Sequence, residues 1–432
     1  MFKPWLLIIQ IIIILLAFPA FASEVNLYNP VGQVEQTKIS SLPEERINTP
    51  KIVSDYNSNE LAVKAVEKNI NLFTKRIREK FSLWLSRSGK YIELMKEILK
   101  EENIPEEIVF IPLIESGFSP YACSPASAVG YWQFIASTGK KYGLKINWWM
   151  DERRDPVKST VAAANYFKDL YEMFGSWKLA MAAYNAGEGK ILKALNRTNT
   201  DDYWSLLDTK YIRGETKDYV PKFIAASMIA NSPQDFGFED IEYHAPLNYD
   251  EVTVDSPVDL EVAADCAETD LKAIKELNPE LRRWCTPPDV SEYTLRIPSG
   301  TKDTFLQNLS LIPKEERFSI ERYKVKKGDT FKKISKKTGI PVQVILDLNA
   351  LEKIIPLKSG MVVYIPPKGK FVLDTYDKAS IKKASIKKAS IKKASFKKKK
   401  KSFTKKKRSK TGVKKVSVKY RKKNLKPSSK KT

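Results

Sequence analysis

At 432 residues the chain is long enough for two or three domains, and its 42% hydrophobic content supports folded cores. The net charge of +24 is concentrated at one end, because 26 of the 75 Lys and Arg residues, and no Asp or Glu, lie from Lys378 to Thr432. The single histidine, His244, disfavours zinc hydrolases and serine or cysteine triads, which use histidine as ligand or base. Carboxylate chemistry fits this inventory, and we expect neither a metal nor a cofactor.

The N-terminus has the pattern of a secretion signal. Lys3 supplies a positive charge, an apolar run extends from Trp5 to Phe18, and Ala20-Phe21-Ala22 is a small-x-small cleavage site. Because this run is shorter than the roughly 20 residues that span a bilayer, a cleaved signal at 1–22 is favoured over an uncleaved anchor. We therefore expect an exported protein of the periplasm or cell envelope. The polar residues 23–58 are predicted to form a flexible leader.

Apolar residues recur at helical spacing through residues 59–240, which predicts a mainly α domain. Ser88, Asp155-Pro156 and Ser176 are typical of helix starts, where a capping side chain precedes the first turn. Strand signals are almost absent from this region. The predicted helices are 60–85, 88–100, 105–115, 127–142, 155–173, 176–184 and 219–228.

A lone carboxylate, Glu115, closes the apolar run at 108–114 and precedes a stretch of small and turn-forming residues. Tyr131-Trp132-Gln133-Phe134 then brings three aromatic rings and one amide together. A carboxyl group beside so much apolar surface keeps its proton to higher pH, which suits a general acid near neutrality. Taken alone, however, a glutamate at a helix end is usually solvated, and an aromatic cluster is usually core.

Two segments after residue 250 resemble each other. Leu271–Asn278 parallels Val342–Asn349, and Leu295–Pro298 parallels Val363–Pro366. Each unit is predicted to form a strand, two short helices and a second strand, a small α+β (βααβ) fold with little core.

The three cysteines are an odd number, so at least one thiol is expected to be free. Cys266 and Cys285 flank one helical segment and could form a disulfide that braces the first unit. Cys123, beside the candidate site, is expected to be a small buried residue because a nucleophilic cysteine would need a basic partner.

Residues 378–432 repeat Lys-Ala-Ser-Ile-Lys with a period of five and then become lysine runs. This period matches neither helix nor strand, and like charges repel, so a disordered polycationic tail is predicted. Such a tail would bind an anionic polymer or a membrane surface. Nucleic acid is a disfavoured partner, since aromatic residues for base stacking are sparse there.

Four motifs, in the same order, resemble those of soluble lytic transglycosylase catalytic domains. They are Ile114-Glu115-Ser116 with Ser124, Ala128–Gln133, Ala183–Gly187 and Glu215–Val220. The Trp132-Gln133 pair is most similar to the membrane-bound murein transglycosylase D branch, which also carries C-terminal LysM modules. One departure is Ser127, where the family usually has glycine.

The later units are similar to LysM repeats. Residues 321–367 contain the Gly328-Asp329-Thr330 start of such a repeat, whereas residues 250–300 lack it and resemble a degenerate copy. The resemblance as a whole implies a lysozyme-like helical domain at 59–240, followed by these two modules.

The resemblance also implies an activity, which is cleavage of peptidoglycan glycan strands with Glu115 as the sole acid and base and a 1,6-anhydromuramoyl product. Most glycosidases use a second carboxylate. Asp151, Glu152 and Asp155 are available, but none lies in a motif. A hydrolytic muramidase and a non-catalytic peptidoglycan-binding protein remain the alternatives.

The resemblance further implies residues that bind substrate. Each has a plainer alternative: a turn for the serine, a cap or surface position for the amides, and core packing for the tyrosines. Trp148 and Trp149 could stack on sugars, although core packing is expected for at least one. The substrate-binding residues are Ser124, Gly130, Gln133, Tyr184, Asn185 and Tyr219, and the LysM glycan-binding residues are Gly328, Asp329, Thr330 and Asn349.

Overall fold

The computed structural model describes residues 51–370, with side chains from residue 54. The predicted signal at 1–22, most of the leader and the tail at 378–432 lie outside these residues. Helices dominate up to residue 236, which confirms the mainly α prediction for this part. They are α1 Glu60–Asn71, α2 Arg78–Ser88, α3 Ile92–Glu101, α4 Phe110–Ser116, α5 Ala136–Lys141, α6 Pro156–Phe174, α7 Trp177–Ala186, α8 Glu188–Thr198 and α9 Gly214–Asn231.

Two helix starts follow their capping signals. Asp155 accepts a hydrogen bond from Lys158 N at 2.8 Å, with Pro156 as the first residue of α6. Ser176 caps α7 through Leu179 N. Both caps satisfy backbone N–H groups that would otherwise lack a partner at the helix end.

Two helical predictions are wrong in their boundaries. The segment 60–85 is interrupted by a π turn at Leu72–Arg76 and by Ile77, and this break brings Phe73 onto Phe81 with 4.3 Å between ring centroids. Ser88 does not start a helix but ends α2, where its hydroxyl donates to Leu85 O.

The end of the predicted leader is also structured. Residues Lys51–Ser58 form a 3₁₀ helix, and Tyr56 within it is buried. Burial of this large aromatic side chain stabilises the 3₁₀ helix against the rest of the domain. The polar composition of the leader did not indicate this contact.

Both βααβ units form as predicted. The first comprises β1 Tyr249–Val254, α10 Leu260–Cys266, α11 Leu271–Leu277 and β2 Tyr293–Pro298, and α12 Lys302–Leu311 follows it. The second comprises β3 Glu321–Lys324, α13 Phe331–Thr338, α14 Val342–Leu348 and β4 Val362–Ile365. The two strands of each unit pair antiparallel. We call these units module 1 and module 2.

An asparagine after the second helix has the same role in each module. Asn278 donates to Arg296 O and accepts from Arg296 N, which joins α11 to β2. Asn349 donates to Tyr364 O and accepts from Tyr364 N, which joins α14 to β4. The matching pairs show that the internal similarity of the sequence reflects one repeated fold.

The cysteines differ from expectation. Cys266 and Cys285 are buried free thiols, so the considered disulfide is absent. Cys266 packs in the core of module 1, whereas Cys285 packs in the cluster that contains the core of module 2. Apolar packing therefore braces module 1. Cys123 is exposed, so the prediction that it is buried is wrong.

Module 1 packs directly against the helical region. Asp151 N donates to Glu280 O, and Arg282 N donates to Trp149 O, both at 2.9 Å. Arg296 of β2 forms an ion pair with Asp155 at 2.9 Å, and both side chains are buried. The backbone from 149 to 155 is therefore held from the module side.

Candidate active site

Glu115 lies in the last turn of α4. The helix ends at Gly117, which has φ +58°, a conformation that favours glycine. A Cβ at this position would lie 2.1 Å from Cδ1 of Trp84. The left-handed conformation of Gly117 ends the helix just beyond Glu115, and the close approach of Trp84 leaves room only for glycine.

The carboxyl group of Glu115 is partly buried and has one specific hydrogen-bond donor. Tyr219 of α9 donates from its hydroxyl to Glu115 Oε1 at 2.7 Å. Burial raises the pKa of Glu115, and this effect outweighs the Tyr219 hydrogen bond and the charge of Lys222, which lower it. Because Tyr219 occupies Oε1, the acidic proton is expected on Oε2.

Tyr184 of α7 lies beside this carboxyl group. Its hydroxyl donates to Trp132 O at 2.5 Å, and its ring stacks on Phe167 at 4.6 Å between centroids. Burial raises the pKa of Tyr184 well above its ordinary value, and the nearby charge of Glu115 raises it further. Tyr184 and Tyr219 therefore stay protonated across the physiological range.

The segment 127–135, predicted as the start of a helix, is instead a tight loop, which we call the motif loop. Ser127, Gly130 and Gln133 all have positive φ, so a helix cannot pass through them. At Gly130, φ is +84° and a Cβ would lie 1.8 Å from Arg153 O, so only glycine fits. The helical part of the prediction is confined to α5, Ala136–Lys141.

Three side chains hold carbonyl groups of the motif loop. Ser116, next to Glu115, donates to Tyr131 O at 2.8 Å. Tyr184 donates to Trp132 O, and Arg153 donates from Nη1 to Phe134 O at 2.9 Å. The loop is therefore fixed relative to Glu115 on one side and to Arg153 on the other.

Gln133 and Asn185 each have part of their hydrogen-bonding capacity committed within the protein. Gln133 Nε2 donates to Gly130 O at 2.9 Å and to Ala122 O at 3.3 Å, which leaves its amide oxygen. Asn185 Oδ1 accepts from Thr216 Oγ1 at 3.0 Å, which leaves its amide N–H groups. The two positions thus offer one acceptor and one donor group to a ligand.

Ser124 has the role of a turn residue. Its hydroxyl oxygen accepts from Ala128 N at 3.1 Å, while its own N–H donates to Ala128 O. These bonds close the turn that precedes the motif loop. Glu115 is contacted by Tyr219, and the predicted contact of Ser124 with the carboxyl group or the sugar rests on the family resemblance alone.

Arg153 is a key residue that the sequence interpretation missed. It is fully buried and forms a bidentate pair with Asp151 at 2.8 and 2.6 Å. It also donates to Ser127 O and Phe134 O at the two ends of the motif loop. The dense charges of the sequence Asp151-Glu-Arg-Arg-Asp155 were the available signal.

The other candidate carboxylates are structural. Asp151 is paired with Arg153, Glu152 with Lys158 at 2.7 Å, and Asp155 with Arg296. All three carboxylates are buried. Each of these carboxylates is committed to a cationic partner in the folded protein, so none is available as a second catalytic acid.

The paired tryptophans belong to an interface. Trp149 is almost fully buried in the cluster that contains the core of module 2, and it packs against Trp284 with 5.9 Å between ring centroids. Arg283 lies over the ring of Trp148 at 3.8 Å. Core packing therefore accounts for Trp149, and Trp148 is covered from the module side.

The predicted glycan-binding residues of module 2 differ in how they are used. Thr330 caps α13 through Lys333 N, and Asp329 accepts from Lys326 N and from the hydroxyl of Tyr323. Asn349 is committed to β4, as described above. Gly328 has φ +80°, as the turn requires. These hydrogen bonds hold the loop 328–330 in place, whereas Asn349 joins α14 to β4.

Within residues 51–370, no group of three or more His, Cys, Asp or Glu side chains is arranged to hold a metal ion. Across the same residues, none of the helices combines the length and the apolar character that a membrane span requires.

Removing the Tyr219 hydroxyl tests its effect on the carboxyl group. We expect Tyr219→Phe to raise the pKa of Glu115 further, because a hydrogen bond that lowers this pKa is lost. The fall of kcat/KM at high pH should then move to higher pH, and kcat should decrease about 10- to 100-fold since the ionised carboxylate loses its donor. Tyr171→Phe, at an exposed position on α6, is the control. An unchanged pH profile would exclude this role.

Comparison with known proteins agrees with the motifs. Residues 93–207 match the transglycosylase SLT domain, residues 248–314 match the LysM-like domain of lytic transglycosylase MltD, and residues 323–366 match the LysM domain. The fourth motif, Glu215–Val220, lies just beyond the first matched stretch. The match to module 1 extends through α12.

Several similar proteins are named as lytic transglycosylases. The chain is 32% identical over 280 residues to membrane-bound lytic murein transglycosylase D of Escherichia coli strain K12, and the alignment covers 61% of each protein. It is 26% identical over 165 residues to membrane-bound lytic murein transglycosylase C of Pectobacterium atrosepticum, covering 32% of this chain and 46% of that protein. The 70 kDa soluble lytic transglycosylase of Escherichia coli aligns at 20% identity over 45% of this chain and 32% of that chain, with a TM-score of 0.32.

The chain thus spans about 61% of the length of the first of these relatives. Glu115, the motif loop and the third motif all fall within 93–207, and modules 1 and 2 coincide with the two later matches. The resemblance inferred from the motifs is confirmed: one stretch of the chain matches the transglycosylase SLT domain, and two later stretches match LysM-type domains.

Proposed function

We propose that this chain is a lytic transglycosylase that cleaves the β-1,4 bond between N-acetylmuramic acid and N-acetylglucosamine and leaves a 1,6-anhydromuramoyl end. The observation that carries the proposal is the state of Glu115, a partly buried carboxyl group with a raised pKa, hydrogen-bonded by Tyr219 inside a transglycosylase SLT domain. Burial that favours the protonated form equips this group to act as an acid.

One carboxyl group serves both steps of the reaction. Protonated Glu115 gives its proton to the glycosidic oxygen as the bond from this oxygen to C1 breaks. Ionised Glu115, stabilised by the Tyr219 hydroxyl, then takes the proton of the C6 hydroxyl as O6 bonds to C1. The proton returns to Glu115 and no water is consumed. Because the nucleophile belongs to the substrate, the entropy cost of capturing one is avoided.

The structural use of the other carboxylates supports this single-residue scheme. A glycosidase that uses water or an enzyme nucleophile requires a second carboxylate about 5 to 9.5 Å from the acid. Asp151, Glu152 and Asp155 are instead buried carboxylates that are each held in an ion pair. Gln133, Asn185 and Gly130 are proposed to position the sugar through the groups that the protein leaves available.

Mass spectrometry of digested sacculi distinguishes the alternatives. We expect soluble muropeptides whose muramoyl ends weigh one water less than reducing ends. Reducing ends would instead indicate a hydrolytic muramidase. Sacculi that bind the protein but release nothing would indicate a non-catalytic binding protein.

The remaining proposals concern location and retention. We propose export by the segment 1–22 to the periplasm or cell envelope, wall attachment through the loop 328–330 of module 2, and binding of an anionic polymer or membrane surface by the tail 378–432. Retention on an insoluble polymer raises the local concentration of the catalytic domain.

A further inference from the structure

Modules 1 and 2 share a fold but carry opposite charge. Residues 249–298 contain twelve Asp or Glu and five Lys or Arg, whereas residues 321–366 contain four Asp or Glu and ten Lys or Arg. The first helix of module 1, α10, presents the exposed acids Glu261 and Asp265, while the corresponding helix of module 2, α13, presents lysines. The fold itself therefore does not require the lysines.

Six exposed lysines form what we call the lysine face. Phe331 and Ile334 of α13 are buried, so the lysines of this helix lie on its solvent side. The pKa of Asp329 lies below its ordinary value, and the largest cause is a hydrogen bond from the backbone N–H of Lys326. The charges of Lys337 and Lys333 lower this pKa further, so both lysines lie near Asp329. The lysine face comprises Lys326, Lys327, Lys332, Lys333, Lys336 and Lys337.

This face keeps a net positive charge, because Asp329 is a single carboxylate beside six lysines. Among the ion pairs between described residues, none involves any of the six lysines. Lys332 and Lys336, and likewise Lys333 and Lys337, are four residues apart on one helix, a spacing at which like charges repel. This repulsion between lysines destabilises the free protein, and a bound anionic partner would reduce the repulsion.

The position of the face indicates which anion it meets. Lys333 Nζ donates to Gly328 O at 2.6 Å, and Lys326 N donates to Asp329, so the face borders the loop 328–330. Its neighbouring aromatic residue, Tyr323, is bonded to Asp329 through its hydroxyl, and Lys337 lies over its ring at 5.4 Å. The ring face is therefore taken by a lysine and is not open for base stacking.

We propose that the lysine face binds the carboxylate groups of the peptide stems carried by a wall glycan strand, while the loop 328–330 contacts the sugars. This inference rests on the proposed function, because it takes the strand at that loop to be peptidoglycan. Lysine ammonium groups suit scattered carboxylates, since each acts as a mobile point charge. Module 2 would thereby prefer peptide-bearing strands over bare ones.

The test compares two triple variants of the full chain, each in the Glu115→Gln background so that the strands stay intact. Lys332→Gln/Lys336→Gln/Lys337→Gln neutralises the solvent side of α13, and glutamine preserves its helix propensity. The control, Lys100→Gln/Lys168→Gln/Lys302→Gln, removes the same charge at exposed positions elsewhere. Binding is measured at low and high salt to sacculi with peptide stems, to sacculi stripped of stems by an amidase, and to anionic phospholipid vesicles.

We expect the α13 triple variant to bind stem-bearing sacculi at least about threefold more weakly than the control triple variant at low salt, with the difference lost at high salt and on stripped sacculi. Equal binding of the two variants to stem-bearing sacculi would overturn the inference, as would a difference seen only with vesicles. If the Glu115→Gln parent binds neither kind of sacculus, the proposed function itself fails, which is a separate result.

Discussion

Glu115→Gln should abolish release of soluble muropeptides, with kcat reduced on the order of 10³-fold or more. Glutamine keeps the shape of the side chain and can still accept from Tyr219, but it can neither give nor take a proton. Binding to sacculi should be retained. The matched control is Glu172→Gln on the exposed surface of α6, which should digest as the wild type does. Wild-type rates from Glu115→Gln would show that another group is the acid.

The same substitution should increase stability at neutral pH. Because the pKa of Glu115 is raised in the folded protein, the folded state holds a proton that the unfolded state has lost between the ordinary pKa and the folded pKa. Wild-type stability therefore falls as pH rises through this interval and then stays lower. Thermal unfolding should give a higher Tm for Glu115→Gln than for the wild type at pH 7 and a smaller difference at pH 4. A variant less stable at pH 7 would contradict burial of the charge.

Arg153→Met should lower both stability and activity severely. The substitution leaves Asp151 buried without its cation, which costs about 3–5 kcal/mol of unfolding free energy. It also removes the hydrogen bonds to Ser127 O and Phe134 O, so the motif loop loses its anchor opposite Glu115. Denaturant unfolding and muropeptide release measure the two losses. Arg76→Met, at an exposed position, is the control.

A double variant separates the two effects. Arg153→Met/Asp151→Leu removes both charges, so much of the lost stability should return. Activity should remain low, because no donor reaches the motif loop. Full recovery of activity together with stability would show that Arg153 only stabilises the fold and does not position the loop.

Module 1 and the motif loop are linked through one segment of the helical region. Arg153 holds the motif loop, and the segment that carries Arg153 is held in turn by Glu280 O and by the Asp155–Arg296 ion pair. Each contact joins residues far apart in the chain. The motif loop and module 1 therefore share a single connecting segment, residues 149–155.

Much of the fold could be predicted from the sequence, because local signals decide it. Asp155 and Ser176 each start a helix by accepting a hydrogen bond from an N–H group only three residues later. The two βααβ modules have an equivalent asparagine after their second helix. Glu115 and Tyr219 were identified through motifs, and they meet at 2.7 Å.

The errors arose where distant contacts override local pattern. The motif loop was predicted to be helical, but its backbone has positive φ at Gly130, where Arg153 O approaches too closely for any side chain. The sequence also did not indicate the role of Asn349 in joining α14 to β4, because this role depends on a partner fifteen residues away.

The most direct measurement is the pKa of Glu115 itself, followed by NMR of ¹³C-carboxyl-labelled glutamate, with its resonance assigned as the one missing from Glu115→Gln. We expect this resonance to titrate above the ordinary glutamate value of about 4.3, at the pH where kcat/KM of the wild type declines. A Glu115 that titrates at or below the ordinary value would be ionised at neutral pH, and it could not be the acid that starts the reaction.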